Sequence, residues 1–350
     1  MASQYHDQAW VQKWKQSTDD IGDGMTYQQA ATRLRQLINT KLLTLTDIQD
    51  DPERFFEAHP FLVSLRDANG NLKAGVEAKD MGKKTVGNDL DNALLTFKNF
   101  KVPRETLLAR FVTVDANGKV SFPQGNMRTM DMIGQRLFTG RIAVAQAGLA
   151  FANGLFATTR QFASGKKCWA PGGDTTLIQV PQIKAIFERA DKELAILSTF
   201  IKTVELQLSE YLRKRQLPDL ALQQAIAVGK VKCIEGAIEL CHSLKQEVGS
   251  YALMAGTGFE QLDFLNCCKF AEGDSRILMQ KMARDIFSKG PSTALEKDAL
   301  NKLKASIGKD MKAGLGKKDA WDNNYLLVYG LAEAHMQGVM EKTLKGASKL

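Results

Sequence analysis

A chain of 350 residues that is 44% hydrophobic and 25% charged can bury the core of two or three domains, which excludes a disordered or fibrous polymer. Its longest apolar stretch, "RIAVAQAGLAFANGLFA" (141–157), is interrupted by Arg, Gln and Asn, so no segment reads as a membrane span, and the polar opening "MASQYHDQAWVQKWKQ" lacks a secretory leader. The net charge of +8 is gathered partly in "KASIGKDMKAGLGKK" (304–318); without aromatic interleaving or a groove-reading motif it argues against nucleic acid and for a solvated helix face or a polyphosphate ligand.

Residues 1–62 form an N-terminal helical segment. "TYQQAATRLRQLINTKLL" places Ala30, Leu34, Leu37 and Ile38 on one face, and "TDIQDDPERFFEAHP" offers an Asp cap with Pro52 in the first turn. From 63 to 125 the pattern shortens to strands. "VSLRDANGNLKAGVEA" and "RFVTVDANGKVSF" each hold the tetrapeptide Asp-Ala-Asn-Gly (67–70 and 115–118) between alternating apolar residues, predicting two β-hairpins. Between them Leu95 and Phe97 alternate with Thr96 and Lys98 up to Pro103.

Residues 126–350 read as a helical bundle, with helices at about 127–164, 177–214, 219–247, 274–288, 293–313 and 319–344 separated by "APGGD", "QLPD" and "SKGPS". Gly140, Ala143, Ala147 and Gly148 supply small residues where a second helix can approach. The last three residues, Ser348, Lys349 and Leu350, spell the C-terminal address read by the peroxisomal import receptor, which predicts a peroxisomal location. The fold class is therefore mainly α, a C-terminal helical bundle preceded by a small helical segment and a reduced antiparallel β region.

Familiar chemical signatures are absent: there is no Walker loop, zinc-binding helix, nucleophile elbow or dinucleotide fingerprint. Five cysteines (168, 233, 241, 267 and 268) suit neither a disulfide framework nor a metal site and read as buried thiols, and His242 reads as a packed or solvent-facing histidine. "CKFAEGDSRILMQKMARD" (268–285) is richer. Asp274 or Ser275 can cap a helix carrying Leu278, Met282 and Ile286, and Gly273 permits a sharp turn after Glu272. A carboxylate held there, beside Phe270, would be partly desolvated and its proton affinity raised towards that of a general base; the plainer reading is a surface glutamate before a cap.

"FAEGDSRILMQKMARD" resembles the segment of acyl-CoA oxidases and acyl-CoA dehydrogenases in which a glutamate followed by Gly is the catalytic base. In the same order, "GVEAKDMGKKTVGNDLDNALLTFKNFKVPRETLL" (75–108) is similar to the end of that family's flavin-binding β-domain, "ATTRQFASGKK" (157–167) to its Arg-Gln-Phe motif, and "AGTGF" (255–259) to its Gly-rich turn. "LTDIQDDPERFFEAHP" (45–60) resembles the N-terminal region of peroxisomal acyl-CoA oxidases, whereas the long stretch that the family places before "GVEAKDMG" is here reduced to the fourteen residues between Pro60 and Gly75, and Ala163 stands where a Gly usually follows Arg-Gln-Phe. The resemblance implies FAD as cofactor, with Arg160, Gln161, Phe162, Gly256 and Gly258 binding the dinucleotide of a neighbouring subunit. It implies a fatty acyl-CoA substrate that loses its α-proton to Glu272 and its β-hydride to the flavin, giving a 2-enoyl-CoA and, with oxygen, hydrogen peroxide. The expected assembly is a homodimer or a pairing with a full-length homologue. The alternative is a shortened, non-catalytic paralogue that binds a partner in the peroxisome.

Overall fold

The computed structural model describes residues 61–88, 92–108, 113–115, 120–121, 136–169, 171–214 and 216–347. The helices expected over 1–60, the second Asp-Ala-Asn-Gly turn apart from Asp115, residues 127–135 and the C-terminal tripeptide lie outside the described residues. The chain divides into two compact units, Met1–Lys83 with Asp89–Ile133 and Lys84–Asn88 with Gly134–Leu350.

The first unit carries short antiparallel pairs. Strand β1 (Val76–Asp80) pairs with β2 (Ala93–Phe97), Val76 opposite Phe97, and β3 (Thr113–Val114) pairs with β4 (Val120–Ser121). The first Asp-Ala-Asn-Gly stretch turns as expected. The Asp67 carboxylate accepts from the amides of Asn69 and Asn71 at 2.9 Å, and Gly70 takes φ +85°, but only the bridge between Arg66 and Leu72 flanks the turn. Leu95 and Phe97 take the half-buried side of β2, in keeping with their alternation.

The second unit is a helical bundle: α1 (Arg136–Gly165), the small pair β5 (Lys167–Cys168) and β6 (Thr175–Thr176), then α2 (Pro181–Arg213), α3 (Leu220–Glu247), α4 (Leu262–Cys267), α5 (Ser275–Lys289), α6 (Ala294–Lys312), α7 (Lys317–Asn323) and α8 (Tyr325–Ala347). The helix starts follow local chemistry. Asp219 caps α3 through the Leu222 amide, and Thr293 and Glu296 form a reciprocal capping box on α6. The other oxygen of Glu296 meets His335 Nδ1 at 2.8 Å, so one buried carboxylate both starts α6 and pins it to α8.

By length and composition Leu137–Gly165 is apolar enough to cross a membrane. Here its Ile142, Ala145, Leu149, Ala152, Leu155 and Phe156 form the buried stripe that packs into the bundle core with Phe187, Phe200 and Val231. Of the four small residues expected at a close helix approach, Ala143 and Ala147 face out; Ala145 and Ala152 take the buried positions, because the buried face of α1 is set by Ile142 and Leu149. Gly148 does meet α3: a Cβ there would lie 2.5 Å from Ile234 Cδ1. Of the cysteines, Cys233 and Cys241 are buried as expected, but Cys267 is exposed and Cys168 and Cys268 are half-buried, so the reading of five buried thiols fails for three.

Two glycines of α1 make opposite predictions. Gly148→Val overfills the contact with Ile234 and should lower the unfolding free energy by ~1–3 kcal/mol in urea titration. Gly154, with nothing within 4 Å of its would-be Cβ, should gain ~0.5–1 kcal/mol as Gly154→Ala from helix propensity alone.

Candidate functional site

After α4, the amides of Cys268, Lys269, Phe270 and Ala271 reach back to carbonyls of residues 265–267, so the chain continues as a loose helical turn. Glu272 then breaks it. Its φ is +56° and that of Gly273 is +102°, and a left-handed residue that is not glycine costs ~1–3 kcal/mol unless its surroundings impose it. Asp274 starts α5 by accepting from the amides of Arg276 and Ile277, which makes it, and not Ser275, the cap.

Three residues of α1 and α3 impose the turn. Arg141 Nε donates to the Glu272 carbonyl at 3.0 Å. The fully buried Lys230 ammonium donates to the carbonyls of Lys269 (2.6 Å) and Gly273 (2.8 Å) and to Ser275 Oγ (3.0 Å). The Glu272 carboxylate lies on bare backbone at Gly140, where an added Cβ would stand 2.3 Å from its carboxyl carbon. Glu272 is half-buried, whereas Phe270 is 65% exposed and does not form the apolar wall expected beside it. Neither Lys230, Arg141 nor the role of Gly140 was read from the sequence. The apolar run "AIAVGKVKCI" holds two lysines and does not say which is buried: Lys232 reaches out to Glu333, and only Lys230 turns into the core.

The remaining predicted residues gather at the other end of α1. Phe162 stacks on Tyr251 with centroids 3.8 Å apart and planes within 9°, and Tyr251 meets Phe259 edge-on at 6.3 Å. Gly256 and Gly258, at φ +81° and +94°, aim their amides at the Glu260 carboxylate, each at 2.9 Å, and together with Glu260's own backbone amide they hold that carboxyl below its usual range. Gln161 is exposed. Arg160 pairs with Asp191 at 2.5 Å and lies over the Phe187 ring at 4.4 Å, in a staple between α1 and α2. From residue 140 to residue 162 a helix rises roughly 33 Å, so one chain does not bring Glu272 and this cluster together.

No family model matches the sequence. Among curated proteins, it is 27% identical over 236 residues to the acyl-coenzyme A oxidase-like protein of Mus musculus, covering 66% of this chain and 37% of that one. It is 25% identical over 286 residues to an acyl-coenzyme A oxidase of Kluyveromyces lactis, covering 73% and 38%. The chain thus spans less than two-fifths of the length of these relatives. Among solved structures, acyl-CoA oxidase 3 of Yarrowia lipolytica superposes with a TM-score of 0.62 at 18% identity, over 81% of this chain and 49% of that one. Acyl-CoA oxidase-2 of Caenorhabditis elegans, solved with FAD, ascaroside-CoA and ATP, gives 0.64 at 16% identity, over 83% and 50%.

In sequence and in fold the chain is similar to acyl-CoA oxidases. Its helical unit matches the C-terminal helical domain of those enzymes in fold. In this acyl-CoA oxidase-like bundle the Glu272 turn sits on two cations. Burial pushes the Lys230 ammonium down to about 8, and Arg141 adds to that, while Asp274, Glu235 and Cys268 oppose it. Burial also lowers the proton affinity of Arg141, opposed by the Glu272 charge.

Placing any side chain at 140 should evict the carboxylate without unfolding the helix. In Gly140→Ala the unfolding free energy from urea titration should stay within ~1 kcal/mol of wild type, while the ¹³C resonance of the Glu272 carboxyl, assigned by its loss in Glu272→Gln, shifts; an unmoved resonance contradicts the contact. The sign for Lys230 follows from its depressed folded value. Between about 8 and the ordinary 10.5 the unfolded chain holds the proton and the folded chain does not, so stability relative to Lys230→Met should rise with pH across that window, by up to ~1.4 kcal/mol per unit.

Proposed function

We propose that this acyl-CoA oxidase-like protein carries out FAD-dependent α,β-dehydrogenation of a fatty acyl-CoA in the peroxisome, with Glu272 as the carboxylate that removes the α-proton. The observation that carries the reading is the turn itself: a carboxylate residue at φ +56°, clamped through its carbonyl by Arg141 and seated on Gly140. Backbone strain of this kind persists where the surroundings over-determine it, and it collects at sites that must hold one group in one place. A carboxylate kept within reach of one α-carbon gains its effect from position as much as from basicity.

The residues assigned to the dinucleotide fit it in part. Gly256 and Gly258 direct two amides at one carboxylate, the donor geometry that a phosphate also takes, and Arg160 borders two surface hollows of about 300 and 360 Å³. When bound, FAD supplies the acceptor for the β-hydride, with oxygen as the final acceptor giving hydrogen peroxide. Within this chain, Arg160, Gln161, Phe162, Gly256 and Gly258 would hold its polyphosphate half. Because they stand roughly 33 Å along α1 from the level of Glu272, the reading requires a neighbour, a second copy or a full-length homologue, whose Glu272 they serve. Ser348, Lys349 and Leu350 would deliver the protein through the import receptor, in keeping with a human relative named peroxisomal acyl-coenzyme A oxidase 3, 27% identical over 247 residues.

One observation favours the second reading, a non-catalytic partner-binding member of the family. The Gly256 and Gly258 amides are already taken by Glu260. Absorbance in the flavin bands after incubation with FAD separates the two. The oxidase reading expects a yellow protein that releases peroxide from fatty acyl-CoA, with turnover reduced about 10²–10⁴-fold in Glu272→Gln. A colourless protein that takes up no FAD sinks it.

A further inference from the structure

The catalytic reading leaves unexplained a lysine that is fully buried and bonded to two carbonyls and a hydroxyl, none of them a carboxylate. Burying an ammonium costs far more than burying a methionine of the same length, so its place in the core of α3 calls for a role that an apolar residue cannot fill. The geometry supplies one. Lys269 and Gly273 are the two ends of the segment that carries Glu272, and their carbonyls converge on the same nitrogen; Ser275, the third acceptor, is the first residue of α5 and in turn donates to the Lys269 carbonyl at 3.3 Å. Without the ammonium these carbonyls would face buried surface with fewer donors, and the left-handed backbone at Glu272 would be left with the Arg141 bond alone of these cationic tethers.

We infer that Lys230 is the positioning residue of the Glu272 turn, its ammonium closing the loop from Lys269 to Gly273 so that the carboxylate is presented from one fixed backbone conformation. It touches neither the carboxylate nor any reacting atom and acts through the turn. The groups that bear on its charge are Arg141 from α1, Glu235 from α3, Cys268 and Asp274 from the turn and its cap, and Lys269, whose own ammonium pairs with Glu235 at 3.0 Å. The three N–H bonds of Lys230 match the three acceptors one for one. The kinetic part of this inference rests on the proposed oxidase reading; the structural part does not.

Amide hydrogen exchange on the full chain tests it, as protection factors corrected for intrinsic rates. In Lys230→Met the amides of residues 270–275 should lose about tenfold in protection while those of α2 are unchanged, and Lys230→Gln, which keeps two donors, should recover part of the loss. If Lys230→Met does not fold, the comparison of Lys230→Gln with wild type on the same amides decides the matter. With FAD and fatty acyl-CoA, kcat of Lys230→Met should fall about tenfold with KM little changed. Protection of the turn equal to that of wild type in both variants overturns the inference. If wild type has no oxidase activity the proposed function fails, and the exchange measurements still decide the role of Lys230.

Discussion

The close approach of α1 to α3 is the constraint on which the rest of the helical unit depends. Gly148 lets Ile234 lie against the backbone of α1. Two turns nearer the start of α1 stand Gly140 and Arg141, and one turn nearer the start of α3 stands Lys230, so the same packing that closes the core brings three unlike groups against one short turn. Each does a different job there. The glycine yields space, the arginine holds one carbonyl and the lysine gathers two more. The strained conformation of Glu272 is therefore a property of a helix pair and not of the turn's own sequence.

This division explains what was legible in advance. Helix positions in the bundle followed from apolar periodicity and caps, which are local, and Asp219, Asp274 and Thr293 cap where such residues should. What the sequence could not disclose was lateral. The expected last helix is two helices, α7 and α8, because Asn324 interrupts it with a side chain bonded to Asp310 and to the Ala320 carbonyl. The buried pair of Glu296 and His335 joins residues thirty-nine apart, and no spacing rule reaches that far.

The candidate site divides the same way. Glu272 was singled out by its local neighbours, Gly273 and Asp274, and by resemblance; its clamps lie 131 and 42 residues away in the chain, as counted from Arg141 and Lys230. Phe270 was expected to shelter the carboxylate because it lies two residues before it, yet the chain leaves the helical turn at Glu272 with φ +56°, and Phe270 faces out. Arg160 carries the Arg-Gln-Phe signature, but its guanidinium also staples α1 to α2 through Asp191 and Phe187, so its presence alone does not distinguish a cofactor contact from a structural one.

Glu260 gives the Gly-rich turn a resident anion of its own. A tethered carboxylate competes with any dissolved phosphate at an effective concentration set by the few bonds that link it to the glycines, which places the turn's threshold for a guest above that of an open nest. With Glu260 in place, Gly256 and Gly258 already hold the positive φ values that turn both amides toward one anion. For the dinucleotide proposed to bind here, the ordering of the loop is already done, and what remains is an exchange of one anion for another, favoured by a ligand that brings more charge than a single carboxylate.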